Sequence, residues 1–400
     1  MKKPLLEFDE ALARLLLAAR RVKGVDRVPL HEAAGRVLAE PVVSGITVPA
    51  FDNSAMDGYA VRVADLGRSN RLAVEQRIAA GSIGAFLAQG TAARIFTGAP
   101  VPPGADAVVM QEYCLCEGNE VVIQQTPGLG DHIRRAGEDI GVGAEVLAVG
   151  TRLTPQAIGL SASVGMPLLP VFRPLSVALM STGDELASPG EPLPPGGIYN
   201  SNLSMLHAWL RRLGCQVEDM GRVADTLEAT RRTLRRAGAL HDLVITTGGV
   251  SVGEEDHVKP AVEAEGELSL WSIAIKPGKP LAFGKVGNAD FIGLPGNPVS
   301  AFVTFALLVI PFIRACQGMT DTPAAGGCCM TAGFDWLKPT NRREFLRVRV
   351  GSDGRLELFP NQSSGVLTST VWADGLVDNP AGQVIRSGDP VRFISLRELL

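Results

Sequence analysis

At 400 residues, with a formal net charge of −4 and a pI near 5.8, the chain lacks the basic surplus expected of a dedicated nucleic-acid binder. Hydrophobic residues at 46% and charged residues at 20% fit a globular protein with room for about two to four domains. The most apolar run, Val299 to Ile313, carries Pro311 and falls short of the ~20 residues a bilayer span needs, so no membrane segment is expected.

Lys2 and Lys3 are followed by Glu7, Asp9 and Glu10, which break the apolar core of any signal peptide, so no export signal is expected. Leu12, Leu15, Leu16 and Ala19 mark one face of a helix over Asp9 to Val22. A short segment from Leu30 to Glu40 leads into Pro41 to Gly150, which is rich in Gly, Val and Ala, is broken by PVPPG at Pro100 to Gly104, and reads as β-rich. Helical character returns at Thr154 to Val164, so the β region looks inserted into a discontinuous helical element.

From Leu175 strands and helices alternate: strand Ser176 to Met180, a proline-rich loop from Ser188 to Gly197, helix Ser204 to Leu213, strand Gln216 to Met220, and helix Thr226 to Ala237. Arg231, Arg232, Arg235 and Arg236 at helical spacing read as a solvated face. Strand Asp242 to Ile245 then enters TTGGVSVGEED, Thr246 to Asp256, with a helix reading from Glu254 to Ala264 and a buried helix from Val299. This order predicts a parallel sheet with helices on both faces and ligands at the carboxyl ends of its strands. Met319 to Thr331 reads as a linker, and Phe345 to Val350, Leu356 to Phe359 and Val391 to Ile394 as strands of a small β domain. Cys114, Cys116, Cys215, Cys316, Cys328 and Cys329 form no C-x-x-C pair, which suits a reduced cytoplasmic compartment.

In the loop after Ile245, Gly248 and Gly249 can take positive φ and let a ligand approach main-chain N–H groups, with a helix N-terminus adding partial positive charge. The same loop reads equally well as a plain strand-to-helix turn, because it lacks the spacing of a P-loop or dinucleotide fingerprint. STGDEL places Asp184 and Glu185 just past a strand, where they can cap a helix or meet a ligand. Asp225 sits before a helix, and an N-cap is its simplest role. IKPGKPLAFGK, Ile275 to Lys285, holds Lys276 and Lys279 in a stiff turn suited to an oxyanion or phosphate. In GLPGNPVSAF, Gly293 to Phe302, Pro295, Gly296, Asn297 and Pro298 fix a loop before the buried helix, where ligand contact would come through the main chain. Acids beyond apolar strands can hold Mg²⁺, while lysines and N–H groups face anions. In the β-rich region Asp52, Asp57, Asp106, Glu112 and Asp139 read as turn formers, near Thr97. No nucleophile elbow, H-E-x-x-H or Walker A motif occurs.

FDNSAMDGYAV, IFTGAPVPPGADAVVMQE, GEDI, STGDEL, TTGGVSVGEED, IKPGKP and GLPGNPVS, in this order, closely resemble the molybdopterin molybdenumtransferase family, which includes MoeA and the gephyrin E domain. The resemblance runs from about residue 8 to the carboxyl end. It implies an α/β multidomain fold with four parts: a discontinuous helical domain at 1–44 and 145–173, an inserted β-rich domain at 45–144, a molybdopterin-binding α/β domain with a parallel-type sheet at 174–320, and a small β-barrel-like domain at 321–400. It implies a homodimer whose site joins the α/β domain of one subunit to the β insertion of the other. The implied reaction inserts molybdate into adenylylated molybdopterin with Mg²⁺, releasing AMP and molybdenum cofactor. On this pattern Glu185, Asp225 and Asp256 are the acids at the nucleotide and metal end, and Asp57, Thr97 and Asp139 come from the partner's insertion. Lys276 and Lys279 face molybdate and phosphate, while Gly248, Gly249, Ser251, Pro295, Asn297 and Pro298 wall the substrate pocket. Arg347 and Ser364 face the oxyanion on weaker local similarity.

Two positions depart from the family pattern: Asn200 stands where many relatives carry an acid, which would weaken a metal or ribose contact, and His257 where an aromatic residue is common. Two rival readings remain, the adenylyltransferase that prepares molybdopterin and a non-enzymatic gephyrin-like scaffold. The adenylyltransferase does not need the β insertion and last domain, and the scaffold would need an extra amino-terminal domain and a long linker, which are not expected here. The adenylyltransferase and recipient molybdoenzymes are also the implied protein partners. The sequence does not choose between molybdate and tungstate.

Overall fold

In the computed structural model the described residues are 5–249, 257–320, 326–397 and 399. The first helix, Phe8–Ala18, buries Phe8, Ala11, Leu12 and Leu15 at the expected helical spacing, in the same core as Phe312 and Phe345. It stops short of Val22, with Ala19 already extended, because the chain turns toward a strand at Val25–Pro29. That strand pairs antiparallel with Leu168–Phe172, and Val28, Leu38, Leu153 and Val171 share one core, so segments on both sides of the β insertion pack as a unit. The second helical segment is Pro155–Ser163, started by the Thr154 hydroxyl, which accepts the Ala157 N–H.

The insertion carries a six-stranded sheet in the order Ala107–Met110, Gly58–Val61, Thr91–Ile95, Arg71–Ile78, Glu120–Ile123 and Cys114–Glu117. Asp106, expected to form a turn, instead ties distant segments together, its carboxylate accepting the Val63 N–H at 2.7 Å. All six cysteines are free.

The central sheet is mixed, which corrects the expected parallel one. Gln216–Val223, Ser176–Thr182, Leu243–Thr247 and Ala289–Leu294 lie side by side and parallel, and Pro280–Val286 and Gly266–Ser272 continue the sheet antiparallel. The antiparallel half follows from short connections, since Gly287 and Asn288 join two strands directly and leave no room for a crossover helix. Helices Ser201–Arg212 and Leu227–Leu240 link the parallel strands, and a third helix is described over Val258–Glu265. The arginine face of Leu227–Leu240 is tied down more than a solvated face would be: Arg231 and Arg235 pair with Glu265, and Arg236 with Glu218.

The apolar run is longer than expected, one helix over Pro298–Cys316 that is long and apolar enough to cross a membrane, but 94% of its most apolar stretch is buried in the protein. It is apolar all round because protein surrounds it. A π turn at Phe305–Val309 separates Pro298–Thr304 from Ile310–Cys316, just before Pro311, which lacks the N–H that a regular turn needs there. Part of the expected linker is a strand: Cys328–Thr331 pairs with Pro390–Ser395. Arg343–Val350 and Gly375–Asn379 complete a sheet whose far edge is Ile275–Lys276, lent by the α/β region.

Candidate active site

The parallel strands Ser176–Thr182, Leu243–Thr247 and Ala289–Leu294 all end at one edge of the sheet, and a cleft of about 660 Å³ opens there. Thr182, Glu185, Asn200, Asn202, Thr247, Gly248, Pro295, Asn297 and Pro298 line it, with Gly365 and Leu367 from the carboxyl-terminal region. Pro280 also lines it, because its strand runs antiparallel and begins where its neighbour ends.

Gly248 and Gly249 have φ of +87° and +66°, the left-handed backbone expected of them. A Cβ at Gly248 would sit 2.8 Å from the Thr182 carbonyl oxygen, and one at Gly249 would sit 2.7 Å from the Thr182 hydroxyl. The turn is therefore pressed against the neighbouring strand end. The Gly248 N–H donates to the Leu294 carbonyl at 3.2 Å, so this amide fixes the turn and is not offered to a ligand. Ser251 and Asp256 lie outside the described residues.

Glu185 is exposed at the cleft wall, its carboxylate turned over Gly183. Asn200 is buried, donates to the Ser181 hydroxyl at 2.7 Å and accepts the Leu203 N–H at 3.2 Å, so it caps the helix Ser201–Arg212. The amide serves both ends at once, its nitrogen donating to Ser181 while its oxygen caps the helix. Asn202 was not singled out by sequence as a site residue, yet it ties the cleft together: its amide nitrogen donates to the Thr247 hydroxyl at 2.9 Å and to the Gly296 carbonyl at 2.8 Å. Its amide oxygen is buried without a partner among the described residues. Thr247 donates onward to the Pro295 carbonyl at 3.2 Å. Two asparagines, one residue apart at the start of a helix that follows a short strand, were the available signal.

Pro295, Asn297 and Pro298 shape the cleft by main chain, as expected. Asn297 makes no side-chain cap, and the Val299 N–H is instead taken by the Ser364 carbonyl at 3.0 Å. Ser364 thus reaches the site's border through its backbone. Arg347 is placed elsewhere: its side chain is 1% exposed and donates to the Ser369 hydroxyl and the Phe345 and Ser363 carbonyls, a structural anchor in place of an oxyanion contact. Burial pulls its pKa down to about 10.

Asp225 lies in the turn after the edge strand Gln216–Val223 and is not in the cleft lining. The helix cap there is Thr226, whose hydroxyl accepts the Ala229 N–H, so the N-cap reading of Asp225 is corrected. Lys276 lies within, and Lys279 at the end of, the turn closed by the Ile273 N–H to Lys279 carbonyl bond; Lys279 is exposed, and neither lysine is in the cleft lining. Lys276 donates to Glu344 at 3.2 Å, a carboxylate 1% exposed that also accepts from the Trp336 indole at 2.8 Å and the Thr340 N–H at 3.3 Å. Glu344 gives no motif signal, because its role depends on Lys276 pairing with it across two distant segments.

In the β insertion, Asp57 accepts both the N–H and the hydroxyl of Thr97 at 2.8 Å, and these bonds, the N–H first, hold its carboxyl below the usual range. Asp139 is exposed on a segment paired with Val48 through Ile140, and the adjoining Ala136 N–H and Arg135 hold the Asp52 carboxyl low. Asp57 and Thr97 are therefore brought together, but none of these residues lines the cleft of its own chain.

Comparison with known proteins gives the same constellation a family. Residues 6–165 match the "MoeA N-terminal region (domain I and II)", 178–315 the "Probable molybdopterin binding domain", and 330–396 the "MoeA C-terminal region (domain IV)". A molybdopterin molybdenumtransferase of Haemophilus influenzae is 42% identical over 88% of this chain and 89% of its own. Molybdopterin molybdenumtransferase 2 of Mycobacterium tuberculosis is 37% identical over 94% of each chain. The crystal structure of the molybdopterin biosynthesis moeA protein from Pyrococcus horikoshii superposes with a TM-score of 0.85 at 28% identity, covering 98% of this chain and 100% of that one. With motifs, cleft, domain matches and full-length relatives in agreement, the chain belongs to the MoeA family of molybdopterin molybdenumtransferases.

Proposed function

We propose that this transferase inserts molybdate into adenylylated molybdopterin with Mg²⁺, releasing AMP and molybdenum cofactor. The observation that carries the reading is the cleft itself, bordered by Gly248 and walled by Asn202 and the Pro295–Pro298 loop. Its position at the carboxyl ends of parallel strands is where such sheets take nucleotide-like ligands. That Gly365 and Leu367 help line it favours the transferase over the adenylyltransferase, which does not need a carboxyl-terminal domain.

Magnesium fits the donor chemistry. Among the described residues no group of three His, Cys, Asp or Glu side chains stands ready to hold a metal. Glu185, Asp225 and Asp256 supply the hard oxygens that Mg²⁺ takes one or two at a time, with substrate phosphates and water completing its shell. When bound, the ion would neutralise phosphate charge at the scissile anhydride. The chain's own residues do the rest: Lys276 and Lys279 offset the repulsion between molybdate and the pyrophosphate-linked substrate, and the cleft walls hold the two in register. No covalent nucleophile is required.

The acids of the β insertion enter the same chemistry if two copies assemble as a homodimer, so that Asp57, Thr97 and Asp139 of one subunit meet the cleft of the other. Asp57 suits this role because its Thr97 bonds fix it and keep it charged. Six free thiols suit a cytoplasmic setting, where the adenylyltransferase would supply substrate and molybdoenzymes accept the product. Reconstitution tests the reading: with adenylylated molybdopterin, Mg²⁺ and molybdate, the protein should activate a cofactor-free molybdoenzyme. Failure with active substrate would reject it.

A further inference from the structure

A second cavity, of about 330 Å³, opens at the opposite edge of the central sheet, where Leu243–Thr247 and Ala289–Leu294 begin. The length of those strands separates it from the active-site cleft. Asp290 lines it and is 6% exposed. The described chain buries four acids, and three have donors: Asp65 takes the Gly90 N–H at 2.8 Å, Glu344 takes Lys276, Trp336 and Thr340, and Asp378 takes Arg343 at 2.6 Å. The Asp290 carboxyl has no donor among the described residues. Its neighbour Asp242 is fully engaged by both Arg173 guanidinium nitrogens at 2.7 Å and the Ser176 N–H at 2.9 Å.

Besides the paired Arg173, three cations border the same cavity, and none of the three is bonded to a carboxylate among the described residues. Arg20, Arg21 and Lys23 are exposed, and Arg21 lies 5.0 Å from the centre of the Phe172 ring. An unpartnered carboxylate inside and free cations around it define opposite demands within one small volume. We propose that this cavity is a second ligand site that takes a small zwitterion, with an ammonium or guanidinium on the Asp290 carboxylate and a carboxylate or phosphate against Arg20, Arg21 and Lys23.

The titration of Asp290 supplies a signature. Burial pushes its carboxyl up to about 6 from an ordinary 3.8; the charge on Arg20 opposes this shift and that on Asp242 adds to it. The other groups facing the cavity are Arg21, Lys23, the paired Arg173, and the Cys316 thiol, which burial raises to about 12 and keeps neutral. A cationic group binds only the ionised carboxyl, so affinity should rise about tenfold from pH 5 to pH 7.5. The free protein behaves oppositely. A carboxyl whose folded pKa lies above its unfolded value favours folding when neutral, and that advantage is lost as pH rises through 6. Asp290→Asn should therefore fold, and at pH 7.5 melt at or above the wild-type temperature.

Titration calorimetry on the intact protein tests the proposal with glycine, β-alanine and 4-aminobutyrate as zwitterions of increasing span, and with butylamine and butyrate as one-ended controls. At least one zwitterion should bind tenfold or more tighter than either control, lose tenfold in Asp290→Asn, weaken in Arg20→Ala, and show the pH trend above. Butyrate binding that matches the best zwitterion and survives Asp290→Asn would reduce the site to a basic patch and overturn the proposal. So would millimolar zwitterions producing no heat with any member of the series.

Discussion

At the scale of single residues, Glu344 decides what Lys276 can do. Lysine is a flexible point charge, and the Glu344 carboxylate, fixed by Trp336 and Thr340, confines it. Lys276→Met should stop turnover and, by leaving a buried carboxylate without its cation, cost about 1 kcal/mol, moderated by the lysine's partial exposure. Adding Glu344→Gln to Lys276→Met should return most of that stability in denaturant titration and none of the activity. Glu344→Gln alone should raise the KM for molybdate about tenfold, about 1.4 kcal/mol, with a smaller change in kcat. An unchanged KM would make Glu344 a purely structural residue. Arg347 teaches the converse, because local similarity assigns it to the oxyanion while the fold encloses its guanidinium among carbonyls of its own domain.

At the scale of elements, the Gly248–Gly249 turn is the most constrained piece of the cleft. Alanine at Gly248 meets both an unfavourable φ of +87° and the Thr182 carbonyl, so Gly248→Ala should cost about 1–3 kcal/mol and lower activity further than that loss of folding explains. Thermal melting beside turnover at a temperature where the variant stays folded would separate the two effects. The parallel strands and the buried helix were legible because each is an apolar run bounded by turn residues, and the turn because paired glycines mark it. The antiparallel strands were not. Gly266–Ser272 begins on the glycine that ends its helix, with no loop between the two elements, and Pro280–Val286 starts on the second proline of KPGKP, so the motif that looked like a loop after a strand also leads straight into one. It still reaches the site, since an antiparallel strand starts at the edge where its neighbours end.

At the scale of the whole molecule, distant segments meet at the cleft. The Ser364 carbonyl receives the N-terminal amide of the long helix, Gly365 and Leu367 line the cleft, and Ile275–Lys276 joins the carboxyl-terminal sheet. Such contacts are invisible to local patterns, because they depend on which surfaces the packed domains bring together. The insertion's acids stand outside their own chain's cleft, which leads to a complementation prediction: mixed dimers of Asp57→Asn with Lys276→Met should recover part of the wild-type rate, since each retains one intact shared site. Verified mixed dimers without activity would place Asp57 outside the chemistry. The most direct measurement is AMP release from adenylylated molybdopterin and Mg²⁺, followed with and without molybdate. The account predicts release that depends on molybdate and matches the cofactor formed; release indifferent to molybdate, or none, would contradict it.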